Sequence, residues 1–172
     1  MRKKNGLLLI FILMFGASLM AQNAPDQNTI VSKGAQSPTF KYEYDKGKSA
    51  KISDLKGKII LINFFATWCG PCRMELPKIQ SEIWEKHHDN SKFVMLTFGR
   101  EHNWQEVIKF REDQKIAFPL YPDQKREVYG LFAKQTIPRS FLLDEQGKII
   151  FMSTGFEEGH FNELVKLIDS KL

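Results

Sequence analysis

The chain has 172 residues but only two cysteines, Cys69 and Cys72. Structural zinc takes about four ligands at characteristic spacings. Here the pair offers two thiolates, and the nearby His87 and His88 are adjacent rather than three to five residues apart, so no metal is expected. A purely structural disulfide is a poor use of the pair. It closes a very short loop, and cross-linking gains grow with loop length. No basic block with interleaved aromatics occurs, so nucleic-acid binding has no support. There is also no internal repeat and no low-complexity tract.

What is present is Trp68-Cys69-Gly70-Pro71-Cys72, placed where an apolar strand pattern gives way to a helical one. A C-x-x-C pair at that junction is the layout of a dithiol that cycles between reduced and disulfide forms.

Residues 1–21 read as a secretory signal peptide. Arg2, Lys3 and Lys4 form a positive start, Leu7 to Met20 is an apolar run, and Ala21 supplies a small residue near its end. The run is shorter than the ~18 residues a spanning helix needs. No cysteine follows it to carry a lipid. The chain has 25 basic and 20 acidic residues, and the leader holds three of the basic ones, so the remainder carries 22 against 20. The high pI is partly a property of the leader. Exported proteins often carry several disulfides; a single close pair with no spare thiol avoids scrambling. The expected address is the periplasm or cell envelope.

Residues 22–36 are polar, with Pro25 and Gly34, and read as a flexible tether to a domain over 37–172. Phe40, Tyr42 and Tyr44 alternate with polar residues, and Asp45-Lys46-Gly47-Lys48 reads as the turn of a hairpin. Ile59 to Phe65 is an apolar run suited to a strand buried on both faces. Cys72, Leu76, Ile79 and Ile83 share a helical stripe, with Pro77 expected to kink the helix. Phe93 to Phe98 is the next buried strand, completing a right-handed βαβ unit. Asn103-Trp104-Gln105-Glu106 has capping-box spacing. Phe118 to Tyr121 is a short strand candidate, Val128 to Phe132 a short helix, Ser140 to Met152 a hairpin, and the last helix packs Phe161, Leu164, Val165, Ile168 and Leu172.

The segment Asn63 to Cys72 resembles the active-site segment of the thioredoxin superfamily. Glu75-Leu76-Pro77 after the second cysteine is similar to the exported TlpA/ResA-type thiol-disulfide oxidoreductases. Thr136-Ile137-Pro138, then Phe141 to Asp144 and Gly147, resembles the cis-proline segment and its hairpin. The resemblance covers about residues 37–172. It implies an α/β thioredoxin-like fold: a central mixed β-sheet flanked by helices, an N-terminal β-hairpin, and an inserted helix-strand unit near 103–121.

Site roles follow from the resemblance and from chemistry. At a helix N-terminus, Cys69 is favoured as thiolate and is expected to attack a substrate disulfide. Cys72, one turn on and more buried, would resolve the mixed disulfide. Glu75 lies three residues beyond Cys72 and is the candidate base. Spacing alone also allows an ordinary solvated first-turn Glu; the resemblance favours the catalytic role. Trp68, Gly70, Pro71, Ile137 and Pro138 are implied for substrate binding, with the Ile137 backbone beside Cys69. Asn63 stands where cytoplasmic thioredoxins carry a buried Asp and is read as satisfying polar groups. Arg139 stands where Thr is more usual and is read as a cation near the substrate face. Phe65 and Trp104 are expected in the core, His87 and His88 at a solvated helix end, and His102 and His160 on the surface.

The expected function is reduction of protein disulfides through a Cys69/Cys72 cycle, with no cofactor. Expected partners are disulfide-bearing exported proteins, apocytochrome c among the candidates, and a membrane-bound thiol electron donor. A peroxiredoxin-type thiol peroxidase is the enzymatic alternative. Its motif wants Thr three residues before the reactive Cys, where this chain has Ala66. A non-catalytic binding or chaperone module on the same fold is the third reading.

Overall fold

The computed structural model describes residues 26–172, so the signal-peptide reading lies outside it. Strands β1 (Lys41–Asp45) and β2 (Lys48–Lys51) pair antiparallel as the expected hairpin. Gly47 takes φ 75° in its turn, a left-handed conformation that glycine adopts without steric cost.

β3 (Ile59–Phe65) is buried along its whole length. Helix α1 (Gly70–Lys78) follows and leads into β4 (Phe93–Arg100), parallel to β3 in register Ile59↔Phe93 through Phe65↔Gly99. Pro77 lies inside α1, and the ladder beyond it widens into a π-helical stretch, Ile79–Trp84. Proline lacks the donor that the Arg73 carbonyl would otherwise receive, so the irregularity falls near where the sequence places a kink.

The inserted unit is α2 (Trp104–Asp113) and β5 (Leu120–Asp123), two residues later than the Phe118–Tyr121 expectation. β5 pairs with the end of β4 from Thr97↔Leu120 onward, and its edge position tolerates Pro122. The short helix α3 (Tyr129–Phe132), the hairpin β6 (Arg139–Leu143) and β7 (Ile149–Thr154), and helix α4 (Glu158–Lys171) complete the chain. The central sheet has the order β5-β4-β3-β6-β7, with β3 antiparallel to β6.

Alternation along β3 feeds two cores. Ile59, Leu61 and Phe65 face Leu76, Ile79 and Ile83 of the α1 side together with Phe161, Leu164 and Ile168 of α4. Ile60, Ile62 and Phe64 face the hairpin and α3 through Phe40, Tyr42, Tyr129 and Phe132.

Two expectations are corrected here. The described part of the tether, residues 26–36, is packed on the domain. Ile30 N–H donates to the Phe132 carbonyl (2.8 Å), and Gly34 N–H donates to that of Ile149 (2.7 Å). Polar composition suggested a flexible tether, but its backbone groups find partners on α3, on Lys134 just after it, and on β7. Arg139 is not on the substrate face; it is 1% exposed. Its Nε donates to the carbonyls of Gln135 (3.2 Å) and Thr136 (3.0 Å). Its Nη1 donates to Thr29 Oγ1 (2.6 Å) and Thr154 Oγ1 (2.9 Å), and its Nη2 to the Asp26 carboxylate and the Gln135 carbonyl. Thr at this position could not span those partners.

Burial opposes ionisation of Asp26, but the Asn28 N–H and the Arg139 guanidinium outweigh it and hold its pKa at about 2. A depressed carboxylate contributes stability above its unfolded value of 3.8 and loses it as pH falls toward 2. Asp26→Ala should therefore lower stability to urea at pH 7. The loss is on the order of 1 kcal/mol, the low end for a charged hydrogen bond because Asp26 is 33% exposed. The wild-type-to-variant gap should close between pH 4 and 2; a gap independent of pH would refute the ion pair's role.

Candidate active site

The apolar run that makes β3 stops at Ala66, and the chain turns sharply through Thr67 and Trp68 into α1. Cys69 is the N-cap of α1, with extended backbone (φ −81°, ψ 111°), and the Cys72 N–H donates to its Sγ at 3.2 Å. Pro71 sits in the first turn, where a missing N–H costs nothing. Cys69 and Cys72 form a disulfide (S–S 2.08 Å, Cα–Cα 5.3 Å). Cys69 is 4% exposed and Cys72 0%, so only Cys69 reaches solvent. The unpaired N–H groups and dipole of α1 favour an anion at the Cys69 sulfur.

The second wall is the loop before β6. The Ile137-Pro138 peptide is cis, and the Ile137 carbonyl oxygen lies 3.8 Å from Cys69 Sγ. The loop is held from behind. Tyr129 Oη donates to the Thr136 carbonyl (2.7 Å), and Arg139 occupies the carbonyls of Gln135 and Thr136. Around the disulfide, Gly70 and Pro71 are exposed, Ile137 is half-buried and Pro138 is buried. Trp68 is 64% exposed, with the Arg100 guanidinium 5.7 Å from its ring centre. Phe65 is core, whereas Trp104 is half-buried at the core's edge.

Glu75 is not a solvated first-turn residue; it is 3% exposed. Its position on α1 turns it toward the face of β3 that carries Asn63. Asn63 Nδ2 donates to Glu75 Oε2 (2.9 Å) and to Ser140 Oγ (3.0 Å). Ser140 is the residue paired with Asn63 across β3 and β6, and its hydroxyl lies 3.4 Å from Glu75 Oε1. Asn63 thus satisfies buried polar groups, as expected, and the group it satisfies is the candidate base. Sequence reading missed Ser140; its signal is a hydroxyl inside the apolar run Ser140 to Leu143, matching the amide inside the run of β3. It also misplaced His102, which is 4% exposed and whose Nε2 accepts the Thr67 N–H at 2.9 Å. His102 is buried because Gly99 lets its ring lie against the end of β4.

Such a site can exchange disulfides: one sulfur on a slightly exposed residue beside a backbone carbonyl, one sulfur fully buried, and one carboxyl buried on the same helix. Among the described residues no cluster of three His, Cys, Asp or Glu is placed to hold a metal.

Residues 33–152 match the model of the AhpC/TSA family. The thiol-disulfide oxidoreductase ResA of Bacillus subtilis is 28% identical over 166 residues, covering 96% of this chain and 91% of that protein. A solution structure from Bacteroides thetaiotaomicron, provisionally assigned as a protein disulfide isomerase, superposes with a TM-score of 0.80 at 33% identity, covering 84% of this chain and 92% of that one. A crystal structure from Chlorobium tepidum, provisionally assigned as the thiol:disulfide interchange protein DsbE, gives 0.69 at 26%, covering 82% and 98%. The fold is thioredoxin-like.

Burial raises the Glu75 pKa from 4.5 to about 7, against the opposing hydrogen bonds from Asn63 and Ser140. Desolvation of the charged form outweighs two donors. The folded state therefore binds a proton more tightly than the unfolded state between those values, so stability falls as pH rises from 4.5 toward 7 and is flat beyond. Glu75→Gln removes this penalty. Its stability relative to wild type should rise by roughly 3 kcal/mol between pH 4 and pH 8, read by denaturant titration of the oxidised forms. A constant difference across that range would mean that the carboxyl is not desolvated.

Proposed function

The chain belongs to the AhpC/TSA family and is a thiol-disulfide oxidoreductase, and from that premise we propose that it works as a reductase of protein disulfides outside the cytoplasm. The carrying observation is Glu75, a buried carboxyl with a pKa near 7 on the helix that bears the fully buried Cys72. A reductase must ionise its second thiol away from water, and a base matched to neutral pH at that depth serves that step. The Arg2–Ala21 pattern supports export.

In the reduced form, Cys69 Sγ is the attacking thiolate. It displaces one sulfur of the substrate disulfide, which leaves as thiolate, and becomes joined to the other. Glu75 takes the Cys72 proton. Cys72 Sγ attacks Cys69 Sγ, expels the second substrate sulfur and closes the disulfide seen in this structure. Two electrons pass to the substrate, and a thiol donor must return them. The roles of Trp68, Gly70, Pro71, Ile137 and Pro138 are to receive the substrate chain. The Ile137 carbonyl lies 3.8 Å from the Cys69 sulfur, which supports pairing of that backbone with an extended substrate segment. Apocytochrome c is one candidate substrate and a membrane-bound thiol protein the candidate donor. The peroxidase alternative lacks its hydroxyl, because Ala66 stands in the turn and is fully buried.

Cys72→Ser should accumulate mixed disulfides through Cys69 when exposed to disulfide-bearing envelope proteins, and Cys69→Ser should accumulate none. Mass spectrometry of the trapped species identifies the substrates, and trapping through position 72 instead would reverse the assigned roles. Glu75→Gln should slow resolution at pH 7 by roughly a hundredfold, at the low end for a general base, and flatten the rate profile near pH 7. An unchanged profile would remove Glu75 from the mechanism. The direction of flow is read from the midpoint potential: a reductase should lie below about −220 mV, whereas a value near −120 to −180 mV would make the protein an oxidant or isomerase.

A further inference from the structure

The turn that delivers Cys69 is tied at three points. Cys69 N–H donates to the Ala66 carbonyl (3.1 Å). Arg73 Nε donates to the Thr67 carbonyl (3.0 Å). The Thr67 N–H goes to an imidazole, His102 Nε2, at 2.9 Å across 35 positions of sequence. A backbone N–H can only donate, so Nε2 must be unprotonated, and the neutral ring carries its proton on Nδ1. Among the described residues that nitrogen has no hydrogen-bond partner.

Several features of the fold aim the ring. His102 follows the end of β4, whose Gly99 is in register with Phe65 at the end of β3. Glu101 takes φ 66° to reverse the chain, and the His102 N–H returns to the Gly99 carbonyl at 3.1 Å. A Cβ at Gly99 would lie 2.7 Å from Val107 Cγ1 and 3.2 Å from His102 Cβ and Cδ2, so only glycine admits the ring there. The Phe65 ring lies beside it, 6.3 Å between centres.

The charged groups around the ring come from each neighbouring element. Glu106 of α2 places Oε1 3.7 Å from Nδ1, too long for a hydrogen bond, while its Oε2 accepts the Asn103 N–H at 2.8 Å in the capping box. Glu101 and Arg100 adjoin from β4 and its turn, and Arg73 of α1 holds the far side of Thr67. Burial holds the imidazole below its usual pKa, against the pull of Glu106 and Glu101, and Arg100 adds in the same direction as burial.

We propose that His102 is a positioning residue for the reactive turn: its unprotonated Nε2 holds the Thr67 N–H and so fixes the path of residues 66–68 into Cys69, and protonation of that nitrogen releases the turn. A protonated Nε2 would set N–H against N–H. The His102 side chain needs no contact with substrate; it acts through the backbone that presents the sulfur.

The test is nuclear magnetic resonance of the oxidised protein, reading His102 ring nitrogens and the protection of the Thr67 amide against hydrogen exchange. The amide is the readout, not turnover, so failure of the reductase reading leaves this test intact. At pH 7 the ring should be protonated on Nδ1 alone. On acidification the Thr67 protection factor should fall roughly tenfold, the scale of one net hydrogen bond, with the same midpoint as the ring and below pH 6.5. His102→Gln offers an acceptor at the same reach that cannot titrate, and should keep protection at both pH 5 and pH 7. His102→Leu should lose it at both. The amide of Leu61, wholly buried in β3, reports whether each variant is folded. If the Leu variant does not fold, the wild-type titration and the Gln variant decide. A proton on Nε2 at pH 7, a Thr67 protection that ignores the ring's titration, or loss of protection in His102→Gln at pH 7 would each overturn the proposal.

Discussion

The complete burial of β3 is the constraint on which the site depends. All seven residues from Ile59 to Phe65 are withdrawn from water, with side chains feeding cores on both faces of the sheet. At roughly 1.5–3 kcal/mol for each large apolar side chain buried, this strand is among the most firmly held pieces of the molecule. Its end is therefore a fixed point. Cys69 lies four residues beyond that end, close enough that the rigidity of the strand is passed to the sulfur. The same burial makes Asn63 significant. A lone amide in such a strand needs partners, and its Nδ2 finds Glu75 and Ser140.

Three buried polar groups then hold the three pieces of the site. Asn63 holds Glu75 on α1, His102 holds the turn before Cys69, and Arg139 holds the loop that ends in Pro138. They differ in how desolvation is offset. Arg139 remains a cation because it meets one carboxylate, two carbonyls and two hydroxyls, a match that a guanidinium can make and a single ammonium cannot. Glu75 meets only an amide and a hydroxyl, so desolvation prevails and its proton is retained to near neutrality. His102 meets a backbone donor, which requires its neutral form outright.

The parts legible in the sequence were those encoded by neighbours. Periodicity placed β3, β4 and the final helix, the spacing of Asn103 and Glu106 placed the start of α2, and the C-x-x-C pair placed the redox centre. What composition concealed depends on partners distant in sequence. Arg139 reads as a surface cation because its partners Thr29 and Asp26 lie 110 and 113 positions away. His102 reads as a surface residue because the donor that buries it is in another strand's exit. Residues 26–36 read as a tether because their hold on the domain is made mostly by backbone and polar side-chain groups, among them Thr29, Gln36 and the Asp26–Arg139 ion pair, which leave no periodic apolar pattern. Ser140 was hidden differently. A single hydroxyl in an apolar run carries no sign of its purpose until the antiparallel register sets it opposite Asn63.

Glu75 and His102 are displaced from their ordinary pKa values in opposite directions by one cause. Burial penalises the charged form of each, so it raises the acid and lowers the base. The consequence is a division of tasks by pH. Once pH exceeds the depressed value of His102, the turn holding Cys69 is set and stays set through neutrality. Glu75 changes its protonation state only near pH 7, after that geometry is fixed. A group that positions the sulfur works best if it does not titrate while the reaction runs, whereas a group that carries the proton must titrate there. Had both residues kept their ordinary values, the histidine would titrate near neutrality and the glutamate would be fully ionised. The buried polar pairs around β3 thus separate positioning from proton transfer with two side chains.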